Sequence, residues 1–327
     1  MNPPATSTTP ASTLWLQRLT VAALIAVCLG PFLVNTTSLE KSRMAIKAVA
    51  IAAGIGCVAL NRARFRLRPS PAGAAAGLGL ILLGGVLTLA DAAGNLRDPG
   101  LGFILGAAGV SLIACGFTVS GLQARCLGLF ALAAIPAGTI ENLIEHGLHY
   151  STLIAKLSAF SLHYVGFTVQ SEGNTILIHG HAVEIIAECS GLKLFFMLFA
   201  FFAILQLALP ELRRIFWKML FAAAGTGLIV SVLRIDFLVL IVGRPELFEF
   251  FHHGFGSELI SMAAILIFGF FIKEEAFTAL EKKIPVPAIP ADHLPTPDGA
   301  KLMARALVAT TLIGVLVATA AYLTQRG

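Results

Sequence analysis

Long apolar runs alternate with short charged or proline- and glycine-rich clusters along most of the 327-residue chain. Most of the runs have about 18 to 24 residues, the length at which a helix crosses roughly 30 Å of hydrocarbon. Nine runs are predicted as helical spans: 14–34, 44–60, 72–93, 100–122, 126–136, 192–209, 219–242, 257–272 and 302–323. The pattern therefore predicts an all-α polytopic membrane protein with about eight or nine transmembrane helices.

One segment, 137–191, interrupts this pattern and is too polar to form a single membrane helix. From 139 to 162 the apolar residues recur at helical spacing among charged residues, which is typical of an amphipathic helix at the membrane interface. From 167 to 186 apolar and polar residues alternate, and short glycine-containing turns break the alternation. We expect a small extracytoplasmic β-meander there, leading into a helix that begins near Cys189.

The composition excludes most other classes of protein. Hydrophobic residues make up 57% of the chain and charged residues 13%, about half the share in a typical soluble domain. Soluble, disordered, collagenous and disulfide-stapled proteins are therefore excluded. The net charge is +5, but the basic residues lie in separate short loops and form no continuous stripe, so no nucleic-acid partner is expected.

The distribution of Lys and Arg predicts the orientation in the membrane. If the loop 61–69, with its four arginines, is cytoplasmic, that side carries about twice as many basic residues as the other. The N-terminus is then cytoplasmic, the C-terminus is external, and the segment 137–191 lies outside the cytoplasmic (inner) membrane. The predicted organisation is a cytoplasmic tail (1–13), N-terminal transmembrane helices (14–136), a core made of the external segment and three spans (137–272), a proline-rich cytoplasmic linker (273–301) and a C-terminal transmembrane helix (302–327).

Candidate chemistry collects at the outer ends of three consecutive spans of the core. Cys189 stands at the start of the first span, and a thiol in the first turn of a helix has a lowered pKa that Lys193, four residues on, would lower further. Arg234 lies within the second span, and His252 with His253 precedes the third. Ionisable groups at membrane depth are costly and usually functional. A thiol, a guanidinium and an imidazole at one depth supply a nucleophile, an anion stabiliser and a general base.

Each of these residues also has a structural interpretation. Cys189 could pack as a small hydrophobe, as the other four cysteines are expected to do. Arg234 could pair with Asp236 or Glu258, or reach outward to lipid phosphate, and the two histidines could form an exposed loop. The cysteines form no CxxC pair and the histidines no zinc motif, so neither a disulfide framework nor a metal or other cofactor is expected.

The ordered motifs resemble the exosortase/archaeosortase family, whose members are polytopic transpeptidases that process C-terminal sorting signals of the PEP-CTERM type. The resemblance spans about 133–271 and rests on four stretches: Glu172-Gly173-Asn174-Thr175-Ile176 through Gly180, Ala187-Glu188-Cys189-Ser190-Gly191-Leu192, Val232-Leu233-Arg234-Ile235, and His252 with Gly256. It implies that Cys189 is the nucleophile, Arg234 the family's arginine and His252 its histidine. Glu188 and Ser190 flank the nucleophile as supporting residues.

Three positions depart from the family pattern. Lys193 stands where the family commonly has Arg, and Ser231 stands where an Asn commonly precedes the arginine by three residues. His253 adjoins His252, so either histidine could be the base.

The function that this resemblance implies is thiol acyl transfer that cleaves the C-terminal sorting signals of exported, membrane-anchored proteins on the outer side of the cytoplasmic membrane. Cys189 would form a thioester with the substrate, and an amine or water would resolve it. The expected partners are such substrate proteins and membrane lipid. The alternatives are a transporter, with Arg234 and Glu141 or Glu145 lining a path, and a non-catalytic membrane scaffold. No inverted repeat favours the transporter.

Overall fold

The computed structural model describes residues 11–38, 41–93, 100–178, 180–187, 189–252, 254–281 and 295–326. The chain divides into two compact units, Met1–Ile135 with Lys283–Gly327, and Pro136–Lys282. Both units are mostly helical, and the predicted candidate residues lie in the second unit.

The first unit is a bundle of six helices with one helix contributed by the end of the chain. Its helices are α1 (Ala11–Ser38), α2 (Lys41–Leu60), α3 (Pro71–Ala92), α4 (Leu101–Cys115), α5 (Gly121–Ala133) and α12 (Pro297–Arg326). Helix α1 packs on α12 and α4, α3 packs on α4 and α12, and α2 packs on α5. A β-carbon at Gly77 would come within 2.5 Å of the Gly109 carbonyl, so α3 and α4 are in backbone contact there. Glycine permits this close approach of two helices because it has no side chain.

The second unit surrounds a small sheet with helices. Its elements are α6 (Ala137–Leu148), α7 (Tyr150–Tyr164), β1 (Val169–Glu172), β2 (Thr175–Ile178), β3 (His181–Glu184), α8 (Leu192–Ala208), α9 (Phe216–Leu240), α10 (Pro245–His252) and α11 (Phe255–Glu281). A short 3-10 helix, Pro210–Ile215, joins α8 to α9. Helix α9 is central, because it packs on α7, α8 and α11.

The predicted β-meander is confirmed. The strands form an antiparallel sheet in the order β1-β2-β3, with Ser171 opposite Ile176 and Ile176 opposite Val183. Gly173 (φ +61°) lies in the first turn and Gly180 (φ +79°) just before β3, both with a left-handed backbone that glycine adopts readily. Ile176 is fully buried and lies in the apolar cluster that also includes Cys189.

The prediction of a single amphipathic helix over 139–162 is wrong, because the structure has two helices there. They meet at His149, whose backbone is left-handed with φ +49°. The His149 N–H donates to the Glu145 carbonyl and closes α6, and the Glu145 carboxylate accepts from the Ser151 N–H at 3.2 Å. One glutamate therefore contributes to the end of α6 and the start of α7.

The count of eight or nine membrane crossings is not confirmed. In the described part of the chain five helices, α1, α3, α9 with its preceding 3-10 turn, α11 and α12, are long and apolar enough to cross, or six if α5 and α6 count as one broken span. Met44–Leu60, Leu101–Cys115 and Leu192–Ala208 are shorter apolar helices. With 15 to 17 residues, they measure about 22–26 Å, which is less than the hydrocarbon thickness.

One boundary of the core differs from the prediction. Helix α11 continues to Glu281, about two turns into the segment predicted as a linker. The rest of that proline-rich segment up to residue 294 lies outside the described residues, as do residues 1–10 of the predicted tail.

Candidate active site

Cys189 lies in a tight turn between the sheet and helix α8. Its thiol donates to the Ile186 carbonyl, and its sulfur accepts from the Ile186 N–H, both at 3.3 Å. Helix α8 begins only at Leu192, so the expectation that the thiol stands in the first helical turn is wrong. The i to i+4 relation between Cys189 and Lys193 therefore does not apply, and Lys193 is half-buried in the first turn of α8.

Ser190 holds the turn that carries Cys189. Its hydroxyl donates to the Ala187 carbonyl at 3.0 Å and accepts from the Leu192 N–H at 3.4 Å. The second bond satisfies one of the backbone donors left open at the start of α8. Cys189 is only 5% exposed and Ser190 is fully buried, so the turn is a packed element with a defined geometry.

Gly191 brings helix α9 against this turn. The residue has φ +85°, and a β-carbon there would lie 2.0 Å from Ser231 Oγ. The Ser231 hydroxyl donates to the Gly191 carbonyl at 3.4 Å. Arg234 follows Ser231 by three residues and therefore lies on the same face of α9.

Arg234 connects three parts of the unit. Its Nη2 donates to the His252 carbonyl at 3.2 Å and to Ser257 Oγ at 3.0 Å, and its charge interacts with Cys189. The side chain is 9% exposed, and its Nε is buried without a hydrogen-bond partner among the described residues.

Asp236 does not supply the ion pair that was considered for Arg234. Its carboxylate accepts a hydrogen bond from Ser158 of helix α7, and both groups are buried. Among the described residues, Arg234 donates hydrogen bonds to a carbonyl and a hydroxyl, so the guanidinium keeps its positive charge available to an anion in the site.

His252 is the last residue of α10. Its ring lies on Phe248 with 5.0 Å between the ring centroids, while its carbonyl accepts from Arg234. The structure therefore places Cys189, Ser231, Arg234 and the His252 main chain around one end of α9. Glu188 and His253, the remaining predicted site residues, lie outside the described residues.

Comparison with known proteins places these motifs in a family. Residues 37–269 match the family model of the transmembrane exosortases (Exosortase_EpsH), which covers well over half of the chain. The chain belongs to the transmembrane exosortase family. No match was found among curated proteins or solved structures. Exosortases are known as transpeptidases, and their family implies protein substrates with sorting signals. The apolar helices agree with a multi-pass membrane protein.

Two residues of this exosortase were not predicted from the sequence. Ser257, on the first turn of α11, accepts a hydrogen bond from Arg234. Tyr150, at the start of α7, is 7% exposed and belongs to the apolar cluster that contains Cys189. Tyr150 and Ser158 are eight residues apart on the buried face of α7. Polar side chains at two-turn spacing are the only sequence signal that could have indicated this face.

The polar groups that the structure describes in the site are suited to stabilising an anion and not to binding a metal ion. Over the ranges that the structure describes, no group of three or more His, Cys, Asp or Glu side chains could hold a metal ion. What the described residues offer is a buried thiol, a buried guanidinium and the ring of His252 at the end of α10.

Proposed function

We propose that this exosortase is a membrane cysteine transpeptidase or protease that cleaves the C-terminal sorting signals of exported, membrane-anchored proteins. The observation that carries the proposal is the packing of the Cys189 turn, through Gly191, against the face of α9 that also carries Arg234. A nearby positive charge favours the thiolate, which is the reactive form of cysteine. Family membership supplies the class of substrate.

In the proposed reaction, the Cys189 thiolate attacks a backbone carbonyl near the junction of the exported domain and its anchor. The C–S bond forms as the carbonyl π electrons move to oxygen, and the oxyanion then expels the amine as the C–N bond breaks. His252 takes the thiol proton and returns it to the leaving amine, as in other Cys/His pairs. An amine or water then attacks the thioester, which gives transpeptidation or hydrolysis and regenerates the thiol.

Arg234 is the proposed oxyanion stabiliser. Its Nη2 donates to the His252 carbonyl and to Ser257, whereas its buried Nε–H has no partner among the described residues. Two acceptors therefore hold the side chain in place, and the Nε–H remains available as a donor. Preorganised donors in a water-poor site stabilise developing charge strongly, because they need no rearrangement during the reaction.

The proposed site faces the outer side of the cytoplasmic membrane. Within the second unit, the start of α8, the end of α9 and the start of α11 all contribute to it. If successive helices cross the bilayer in opposite directions, the start of α8, the end of α9 and the start of α11 lie on the same side of it. We also propose that the three shorter apolar helices cross a locally thinned bilayer and that α5 and α6 form one broken span. This gives nine crossings, with the N-terminus in the cytoplasm as the basic loops indicate and the segment before α8 outside.

The proposal is tested by processing of a reporter that carries a sorting signal and a C-terminal anchor from the same genome. Co-expression with the wild-type enzyme should release the anchor and change the reporter's mobility, and Cys189→Ala should abolish that change. Cys115→Ala is the matched control, because Cys115 is equally buried but lies in helix α4 of the first unit. Processing by Cys189→Ala at the wild-type rate would show that the thiol is not the nucleophile.

A further inference from the structure

Tyr150 is a buried residue at the N-terminus of helix α7. Its side chain packs near the first turn of α8, with 6.3 Å between its ring centroid and that of Phe195. Its hydroxyl lies beside the Ser231 side chain. Ser231 in turn contacts Gly191, two residues after Cys189. A chain of direct neighbours therefore leads from the Tyr150 hydroxyl to the turn that holds the thiol.

The hydroxyl of Tyr150 makes no hydrogen bond of acceptable geometry with any described residue, although its oxygen is fully buried. A buried polar group without a partner costs free energy and is uncommon in a folded protein. Burial is the main reason that the pKa of Tyr150 is raised above its ordinary value; the neighbouring Ser231 hydroxyl opposes this effect and the Glu145 carboxylate adds to it. At neutral pH the phenol therefore keeps its proton and can act as a donor.

A second donor in the same region shares this property. The Nε of Arg234 is also buried without a partner among the described residues, and Arg234 follows Ser231 by about one helical turn on α9. Both donors therefore belong to residues at the face of α9 against which the Cys189 turn packs. If the side chain of Tyr150 served only for packing, phenylalanine would be more favourable there, because it has no hydroxyl to desolvate.

We infer that Tyr150 is a catalytic residue whose hydroxyl, with the Nε–H of Arg234, donates to the oxyanion that forms when Cys189 attacks the substrate carbonyl. This inference rests on the proposed function. In the attack the C–S bond forms and the carbonyl electron pair moves to oxygen, which accepts both hydrogen bonds. The pair returns when the C–N bond breaks. Tyr150 keeps its proton throughout, so no further reactant is required.

The test is Tyr150→Phe, which removes the hydroxyl and keeps the ring. Loss of one oxyanion donor lowers the rate by about 100-fold or more, so reporter processing should fall by about that factor. Thermal unfolding in detergent should be unchanged or shifted upward, since an unsatisfied hydroxyl is lost. Alkylation of Cys189 by iodoacetamide should keep its wild-type rate, because that reaction forms no oxyanion at a carbonyl.

Tyr164→Phe is the matched control, because Tyr164 lies on the same helix and is 83% exposed. It should process the reporter at the wild-type rate. The inference is overturned if Tyr150→Phe processes the reporter within twofold of wild type, or if its alkylation slows as much as its processing. Either result leaves the proposed function intact as long as Cys189→Ala is inactive. Activity of Cys189→Ala would instead refute the proposed function itself.

Discussion

Gly191 offers a sharp test of how the turn before α8 is built. An alanine there would have φ +85°, and its β-carbon would lie 2.0 Å from Oγ and 2.5 Å from Cβ of Ser231. A left-handed backbone costs a non-glycine residue about 1–2 kcal/mol, and forced overpacking costs about 1–3 kcal/mol. We therefore expect Gly191→Ala to lower the free energy of unfolding by about 2–5 kcal/mol.

The two contributions can be separated in a double variant. Gly191→Ala with Ser231→Gly removes both close atoms and leaves the Ser231 Cα at 3.2 Å. It should recover most of the packing cost and retain the backbone cost of about 1–2 kcal/mol. Unfolding in mixed micelles with increasing SDS measures these differences. The control is Gly225→Ala, because Gly225 lies in α9 with nothing within 4 Å of an added β-carbon.

Gly225→Ala should be stabilising by up to about 1 kcal/mol, the usual gain for alanine over glycine in a helix. The close approach of α9 to the turn would be refuted if Gly191→Ala unfolded at the wild-type SDS fraction. It would equally be refuted if the double variant were no more stable than Gly191→Ala alone.

Three further predictions concern the supports of the site and its orientation. Ser257→Ala removes one of the hydrogen bonds of Arg234, and since such bonds to charged groups contribute about 1.5–3 kcal/mol, reporter processing should slow about tenfold. Ser158→Ala takes a donor from the buried Asp236 carboxylate and should lower the free energy of unfolding by about 1–3 kcal/mol, measured in SDS micelles. A cysteine at Gly180 should react with an impermeant maleimide on intact cells, because the sheet is expected outside.

Each of these has a contrary outcome. Wild-type processing by Ser257→Ala would mean that the bond to Arg234 does not position the guanidinium. Unchanged unfolding of Ser158→Ala would mean that Asp236 does not depend on that donor. For the orientation, a cysteine at Lys301 serves as the cytoplasmic control, since its side chain is 74% exposed. Labelling at Lys301 but not at Gly180 in intact cells would invert the proposed topology.

Local sequence patterns predicted the parts of this fold whose cause is local. The meander followed from alternating residues and from glycines at positions that have positive φ, Gly173 and Gly180. The crossing count is not confirmed by helix length, because an apolar run need not be one helix. Helix α4 ends at Cys115, and Gly116 (φ +63°) turns the chain although the predicted run continues to 122. Composition alone does not show where a helix inside an apolar run stops.

The residues of the candidate site were likewise only partly predictable from the sequence. Charged residues are scarce, so Arg234 at membrane depth was noticeable, and the motifs around Cys189 indicated the family before any geometry was known. Tyr150 and Ser257 were not predicted, because their importance depends on which face of α7 meets α9 and on how α11 begins. The left-handed backbone of His149, which separates α6 from α7, was also not predictable from helical periodicity.

The central claim is that Cys189 carries the substrate as a thioester, and mass spectrometry of the trapped intermediate tests it most directly. The enzyme and the anchored reporter would be mixed, quenched in acid and digested. The peptide that contains Cys189 should carry the carbonyl end of the cleaved reporter, and neutral hydroxylamine should release it as a hydroxamate. Cleavage of the reporter with no adduct, or with an adduct on another residue, would contradict the account.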